Sequence, residues 1–383
     1  EVPANDPCCP TSRRRHRAGC GGWSGVHRRG CDKKRSDLTR SCTRTAALRA
    51  GRSLIHRYTV PVGMNVAPRH VGDQIGDDPG SGEGSSRESM MAQPWEPWHV
   101  SRGLRCISCG ALHGLRDVIY RCGACGDLLD VVYRRPGETG AALAARFRVR
   151  QVSDLAIDRS GVWRFREMLP FYDDESQIIT YPEGNTPLLD APRCAQYAGL
   201  RRLRFKHLGF NPTGSFKDYG MVAGVTQARI LGMRAVACAS TGNTSASLAA
   251  YATRAGMLPI VLVPETGVSF AKLSQSLDYG ALTIMVRGDF DQAQALLRRL
   301  APRLGIYILN SVNPFRLEGQ KTVMFELMEQ LGWRAPDRIV VPGGNLGNSS
   351  SFGKALRELE HLRSEEQTSE LQSRETISYA VFC

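Results

Sequence analysis

The chain lacks most of what would mark a membrane or secreted protein. No apolar run approaches the ~20 residues needed to cross a bilayer as a helix, and no charged segment followed by an apolar one opens it as a signal peptide would. Its 12 cysteines form no secreted disulfide framework. Five (Cys8, Cys9, Cys20, Cys31, Cys42) are irregularly spaced, Cys194, Cys238 and Cys383 are isolated, and only four cluster, at 106–125. There is no repeat of solenoid period. Charge of one sign is also scarce over most of the length. The formal net charge is +13, but residues 1–72 hold fifteen Lys/Arg against four acidic residues, which leaves +2 for the other 311. Basicity is therefore a property of one end and does not guide the reading of the rest. A reducing, cytoplasmic setting is the expectation.

What is present falls into blocks. Residues 1–92 lack sustained apolar periodicity and contain a Gly/Ser-rich linker at 78–89, so they are expected to be a disordered basic segment. An Arg-rich transit peptide, which would make the protein plastidic, and a nucleic-acid-binding arm are the alternatives. A further one is a segment that is not native coding sequence, with the start near Met90 or Met91. From residue 150 the pattern becomes regular. Apolar runs at 235–240, 259–264, 282–286, 306–309 and 338–342 predict buried strands, and amphipathic stretches at 217–231, 244–256, 269–279, 290–304, 318–332 and 348–362 predict helices. This alternation predicts an α/β fold with parallel sheets flanked by helices, whose ligands gather where strands hand over to helices. Residues 363–383 are polar and offer no further strand–helix unit.

Three of those handovers carry unusual residues. "NPTGSFKDYG" (211–220) places Lys217 at a helix start. It is either a solvated lysine beside a cap made by Ser215 or Asp218, or an amine desolvated enough to react with a carbonyl. "STGNTSAS" (240–247) surrounds Gly242 with more hydroxyls and amides than one helix cap needs, and with the helix N–H groups it makes an anion-accepting surface. "VPGGNLGNSS" (341–350) is glycine-rich between a strand and a helix, and reads as a phosphate cradle rather than a plain turn. A lysine, a polar amide-bearing loop and a phosphate cradle are the parts that hold an aldehyde cofactor carrying a phosphate, namely pyridoxal 5'-phosphate.

A fourth feature lies upstream. Cys106, Cys109, Cys122 and Cys125 form a C-x₂-C-x₁₂-C-x₂-C array in a module spanning 96–132. Two knuckles of this spacing suit a closed, structural tetrahedral zinc ribbon. Free thiols on a hairpin, or a redox pair, are the alternatives; His113, between the knuckles, is expected to be a loop residue.

Together, "EGNTPLL" (183–189), "NPTGSFKDYGM" (211–221), "STGNTSAS" (240–247), "LNSVNPFRLEGQKT" (309–322) and "VPGGNLGNSS" (341–350) resemble the threonine synthase family of fold-type-II pyridoxal-phosphate enzymes, over about residues 96–362. "SGVWRF" (160–165) adds to the likeness. The resemblance implies a tryptophan synthase β-like catalytic core at 150–362, with a smaller subdomain at about 233–312. It implies that Lys217 binds the cofactor aldehyde and moves protons, that Asn243 bonds the ring hydroxyl, and that Gly344, Asn345, Leu346, Gly347 and Asn348 hold the cofactor phosphate. It further implies that Ser240, Thr244, Asn310, Ser311 and Arg316 grip the substrate, a planar guanidinium suiting either anion. The substrate implied is O-phospho-L-homoserine, converted with water to L-threonine and phosphate. A homodimer is expected, with no nucleic-acid or membrane partner.

A serine/threonine dehydratase-like lyase, or a basic zinc-ribbon nucleic-acid-binding protein, are the rival readings. Tyr219 stands where many family members carry another residue, often arginine, and is expected to be tolerated. Family members continue beyond the 363–383 tail, which does not resemble them and lacks the hydroxyl residue that faces the pyridine nitrogen. The expectation is therefore a truncated or spliced, inactive product.

Overall fold

The cysteine knuckles fold first along the chain, in a computed structural model that describes residues 98–265 and 270–364. The expectations for residues 1–92, and for the tail beyond Ser364, lie outside the described residues. Strands β1 (Gly103–Cys106), β2 (Leu112–His113) and β3 (Leu129–Val132) form an antiparallel sheet in the order β2-β1-β3. Cys106 stands opposite Leu129, and Arg105 opposite Asp130. His113 thus belongs to a strand, where a loop was expected, because its backbone pairs with Leu104.

Helix α1 (Gly140–Gln151) follows, capped by the Thr139 hydroxyl, which accepts from Ala142 N–H. A two-stranded antiparallel pair, β4 (Leu188–Asp190) and β5 (Arg204–Lys206), flanks the short helix α2 (Pro192–Tyr197). Helix α3 (Lys217–Ile230) then leads to the parallel sheet.

That sheet contains β6 (Ala235–Ala239), β7 (Leu258–Pro264), β8 (Leu282–Val286) and β9 (Ile306–Ile308), in the order β8-β7-β6-β9. Its central strands read as unbroken apolar runs because both faces are covered. Ala237, Ala239, Ile260 and Leu262 pack with Ala293, Leu297 and Ala301 of α6 (Phe290–Leu304), while Val236, Cys238, Val261 and Val263 belong to the core on the other face. Helix α4 (Asn243–Arg254) packs against β6 and β7, and α5 (Phe270–Asp278) against α4 and β8. Asp289 and Gln292 close a capping box on α6, and Gly305 ends it at φ 62°.

Two long helices complete the description, α7 (Phe315–Gln330) and α8 (Gly347–Ser364). Helix α7 starts three residues earlier than the 318–332 pattern indicates and is buried along nearly its whole length. It touches α3 backbone to backbone: a Cβ on Gly319 would stand 1.8 Å from Tyr219 O, and one on Gly220 would stand 3.0 Å from Arg316 O. Glycine is required there for close approach.

One predicted strand does not form. Residues 338–342 carry only a single bridge at Pro342, with Val340 69% exposed. The run has strand chemistry, but among the described residues no strand lies beside it to complete a ladder. Among the same residues no helix is long and apolar enough to cross a membrane.

Candidate active site

The predicted residues stand at or just before the N-terminal ends of α3, α4, α7 and α8. Lys217 is the first residue of α3, and Asp218 holds it in place. The buried Asp218 carboxylate accepts from Thr213 N–H at 2.8 Å, from the Thr213 hydroxyl, and from Ser247 Oγ of α4 at 2.6 Å. Burial pushes the Asp218 carboxyl above its ordinary range. Ser215 Oγ accepts from Lys217 N–H at 3.3 Å.

The Lys217 ammonium makes no hydrogen bond or ion pair among the described residues and sits 4.4 Å from the centre of the Phe216 ring. Burial, and then the positive charge of Arg316, lower it from the ordinary 10.5 to about 8. At neutral pH that leaves on the order of a tenth of the amine in the nucleophilic form, against well under a thousandth for a free lysine.

Arg316, the second residue of α7, is only 3% exposed and so is not a solvated surface charge. Its Nη1 donates to Leu309 O at 3.2 Å, while its buried Nε has no partner. Burial lowers it from 12.5 to about 10. A cation at a helix N-terminus opposes the helix dipole. Lys217 and Arg316 are both placed so, on neighbouring helices and without an acidic partner among the described residues. Such an arrangement favours an incoming anion.

The 240–244 loop closes another side. Ser240 Oγ accepts from Gly242 N–H at 3.2 Å, and Ser245 Oγ donates to Gly242 O at 2.7 Å. No side chain caps α4. The hydroxyls that looked like surplus caps therefore shape the loop; Ser245 and Ala246 N–H donate to Gly242 O, which leaves the Asn243 and Thr244 N–H groups open. Asn243 is exposed and Thr244 half-buried.

Asn310 is buried and bonds the end of β6 on both sides: its Oδ1 accepts from Ala239 N–H at 3.1 Å and its Nδ2 donates to Ala239 O at 3.0 Å. It ties the 240–244 loop to α7's approach, with one lone pair and one N–H remaining. Ser311, beside it, is exposed.

At α8, Gly344, Asn345 and Leu346 are exposed and Gly347 and Asn348 are half-buried. Leu346 takes φ 56°, the left-handed conformation that turns the chain into the helix. A Cβ on Gly347 would lie 3.6 Å from Gln320 Oε1, and the Gln320 Nε2 end would meet a Cβ on Gly220 at 2.7 Å. Gln320, which the sequence reading passes over, thus sits between the lysine helix and the glycine-rich loop. Asn348 Oδ1 and Ser349 Oγ are buried without partners. The unmet Arg316 Nε and the open space around Gly344 fit a bound phosphate ester and its carrier.

Other motif residues prove architectural. Glu183 is wholly buried and accepts from Tyr181 N–H at 3.0 Å, the Tyr251 hydroxyl at 3.2 Å and the Ser160 hydroxyl. Asn185 adopts φ 51°, and its N–H donates to Glu326 at 2.9 Å. Tyr219 is buried too, its hydroxyl donating to Glu326 at 3.1 Å. Its side chain faces that carboxylate, which also pairs with Lys206.

The four ribbon thiols converge. Cys106 and Cys125 sulfurs are 3.3 Å apart, Cys109 and Cys122 sulfurs 3.6 Å, and all four lie within 4.8 Å of one another. Ligands at ~2.3 Å from a tetrahedral zinc sit at about these separations. The Cys125 backbone N–H, then His113, lower Cys122, while Cys109 and Cys125, despite backbone N–H donors, are raised by the neighbouring thiols, a mutual repulsion that a bound cation would relieve. A separate cavity of about 310 Å³ lies between the ribbon and α8, bordered by Asp130, Ser349 and Lys354 and by none of the predicted site residues.

Comparison with known proteins agrees with this geometry. Residues 179–368 match the family described as pyridoxal-phosphate dependent enzyme. A threonine synthase from Methanocaldococcus jannaschii is 47% identical over 262 residues, covering 67% of this chain and 61% of that protein. One from Methanosarcina acetivorans is 46% identical over 266 residues, covering 68% and 61%. One from Synechocystis is 47% identical over 189 residues, about half of each. The chain thus spans about three-fifths of the length of the two archaeal relatives. With Lys217, the 240–244 loop and the 344–348 turn all inside the matched span, the chain belongs to the pyridoxal-phosphate dependent enzyme family.

Proposed function

We propose that the protein is a threonine synthase, converting O-phospho-L-homoserine and water to L-threonine and phosphate. The observation that carries this is the pairing of a half-buried amine lowered to about 8 with a buried arginine whose Nε is unmet, on two adjacent helix starts. The likeness to three threonine synthases supports the choice of reaction.

In this reading residues 150–362 are the catalytic core, residues 233–312 its smaller subdomain, and residues 96–132 a structural metal ribbon. Gly344, Asn345, Leu346, Gly347 and Asn348 hold the cofactor phosphate through main-chain N–H groups, and Asn243 bonds its ring hydroxyl. When bound, the cofactor supplies an electron sink that stabilises negative charge on the substrate α-carbon. Lys217 moves the proton at that carbon, a role that typically contributes ~10²–10⁴-fold. Arg316 receives an anionic group of the substrate in its planar fork, with Ser240, Thr244, Asn310 and Ser311 orienting the rest. The working form is a homodimer, and nucleic acid is not a partner.

Visible absorbance of the protein after incubation with pyridoxal 5'-phosphate and removal of unbound cofactor by gel filtration tests the site. The unaltered chain stays yellow and bleaches with borohydride, whereas Lys217→Ala comes off colourless. Equal colour in both would remove Lys217 from its role. Phosphate release from O-phospho-L-homoserine, with no ammonia release from threonine, separates this reaction from a dehydratase; the reverse pattern overturns it.

A further inference from the structure

Six groups buried between the ribbon and the two last helices take no part in the reaction proposed above. Lys321, Glu318 and Glu358 are 0% exposed, Tyr133 1%, Lys354 7% and Asp130 8%. Lys354 on α8 has its three donors filled from two other elements. It donates to Asp130 Oδ1 at 2.7 Å and Val131 O at 2.5 Å on β3, and to Glu318 Oε1 at 2.6 Å on α7. Lys321 pairs with Glu318 Oε2 and Glu358 Oε1, each at 2.8 Å, and donates to the Tyr133 hydroxyl. Asp130 and Tyr133 come from the ribbon side, Glu318 and Lys321 from α7, and Lys354 and Glu358 from α8.

The cluster has a metal site at one end and helix starts at the other. β3 pairs along its whole length with β1, and Cys106, the last residue of β1, stands opposite Leu129, next to Asp130. Arg316 lies two residues before Glu318, and Gly347 two helical turns before Lys354. Buried ammonium groups cannot be left unpaired without a large penalty, so the placement of β3 constrains where α7 and α8 sit. Four thiolates do not converge stably without a cation, so metal binding orders the ribbon that carries β3.

We propose that Lys354 is a positioning residue that couples the ribbon's metal to the cofactor cleft, so that filling the Cys106, Cys109, Cys122 and Cys125 site tightens cofactor binding at α7 and α8. This rests on the cofactor assignment above. Coupling of this kind is reciprocal: each ligand must raise the affinity of the other by the same factor. A role in stability alone predicts no such reciprocity.

The experiment is a linkage measurement on the whole chain, with zinc and pyridoxal 5'-phosphate as the two probes. The dissociation constant of the cofactor is read from its visible band with zinc bound and after its removal by a chelator. Zinc affinity is read by competition with a metal-binding dye, with and without saturating cofactor. The expected result is a tightening on the order of tenfold, inside the ~5–150-fold span usual for coupled sites, and equal in both directions. Asp130→Asn keeps the shape of the ribbon side and removes its charge, so zinc still binds and the factor falls toward one. Lys354→Arg retains part of the factor, and Lys354→Met loses it. Cofactor binding that is unchanged by zinc in the unaltered chain overturns the coupling while leaving the cofactor site standing. Absence of cofactor binding with zinc bound overturns both. A full coupling factor in Asp130→Asn removes the ion pair from the path.

Discussion

Arg316 and Glu318 are two residues apart on α7 and are buried to the same degree, yet their surroundings differ completely. Arg316 has one backbone carbonyl as its partner, a buried Nε with none, and a helix dipole against it. Glu318 has Lys321, Lys354 and Tyr133 around its two oxygens; despite burial, the two ammonium groups hold it below the ordinary carboxylate range. A buried charge that is fully paired belongs to the architecture. One left unpaired, beside a lowered lysine, marks where a ligand supplies the missing charge. The two ends of the cluster therefore serve different purposes although they lie on one helix.

Three measurements sharpen or break this contrast. The largest effect is expected at the paired end. Glu318→Ala takes one of two carboxylates from each of two buried ammonium groups, Lys321 keeping Glu358 and Lys354 keeping Asp130. Urea unfolding should therefore show a loss of about 3 kcal/mol, the low end for breaking a buried pair. A loss near zero would mean the cluster is not the anchor it looks to be. Next comes the helix contact that places Arg316 next to Lys217. Gly319→Ala drives a methyl into Tyr219 O and should cost about 1–3 kcal/mol, with α3 and α7 forced apart and cofactor affinity reduced. Tolerance at this position would show that the two helices do not need to touch.

The smallest change is at the unpaired end, where a pH midpoint moves and nothing unfolds. Reaction of Lys217 with an aldehyde probe requires the neutral amine, so its rate should rise with pH through about 8 instead of 10.5. Arg316→Met, which removes the neighbouring positive charge, should move that midpoint upward toward the free-lysine value. A midpoint that stays in place would assign the shift to burial alone.

Much of the candidate site was legible because strand-to-helix handovers have local signatures. Lys217 after Pro-Thr-Gly-Ser-Phe, the hydroxyls around Gly242 and the glycines at 343–347 announce themselves by composition. Asp218 and Gln320 did not stand out, since a polar residue at a helix start looks like a cap or a solvated face. The network of Asp130, Tyr133, Glu318, Lys321, Lys354 and Glu358 was not legible either. Its members are up to 228 positions apart and, taken singly, resemble surface charges. Residues 338–342 erred in the other direction. Their apolar run is strand-like, but pairing needs a neighbour, and that depends on the rest of the sheet.

By itself the sequence determined the α/β alternation, the spacing of the cysteine quartet and the polar chemistry at the helix starts, because each depends on residues close together along the chain. Only the tertiary structure decided which charges would be matched and which left open. Pairing is set by what distant segments bring into contact, and burial then converts an ordinary arginine or lysine into a group that calls for a partner.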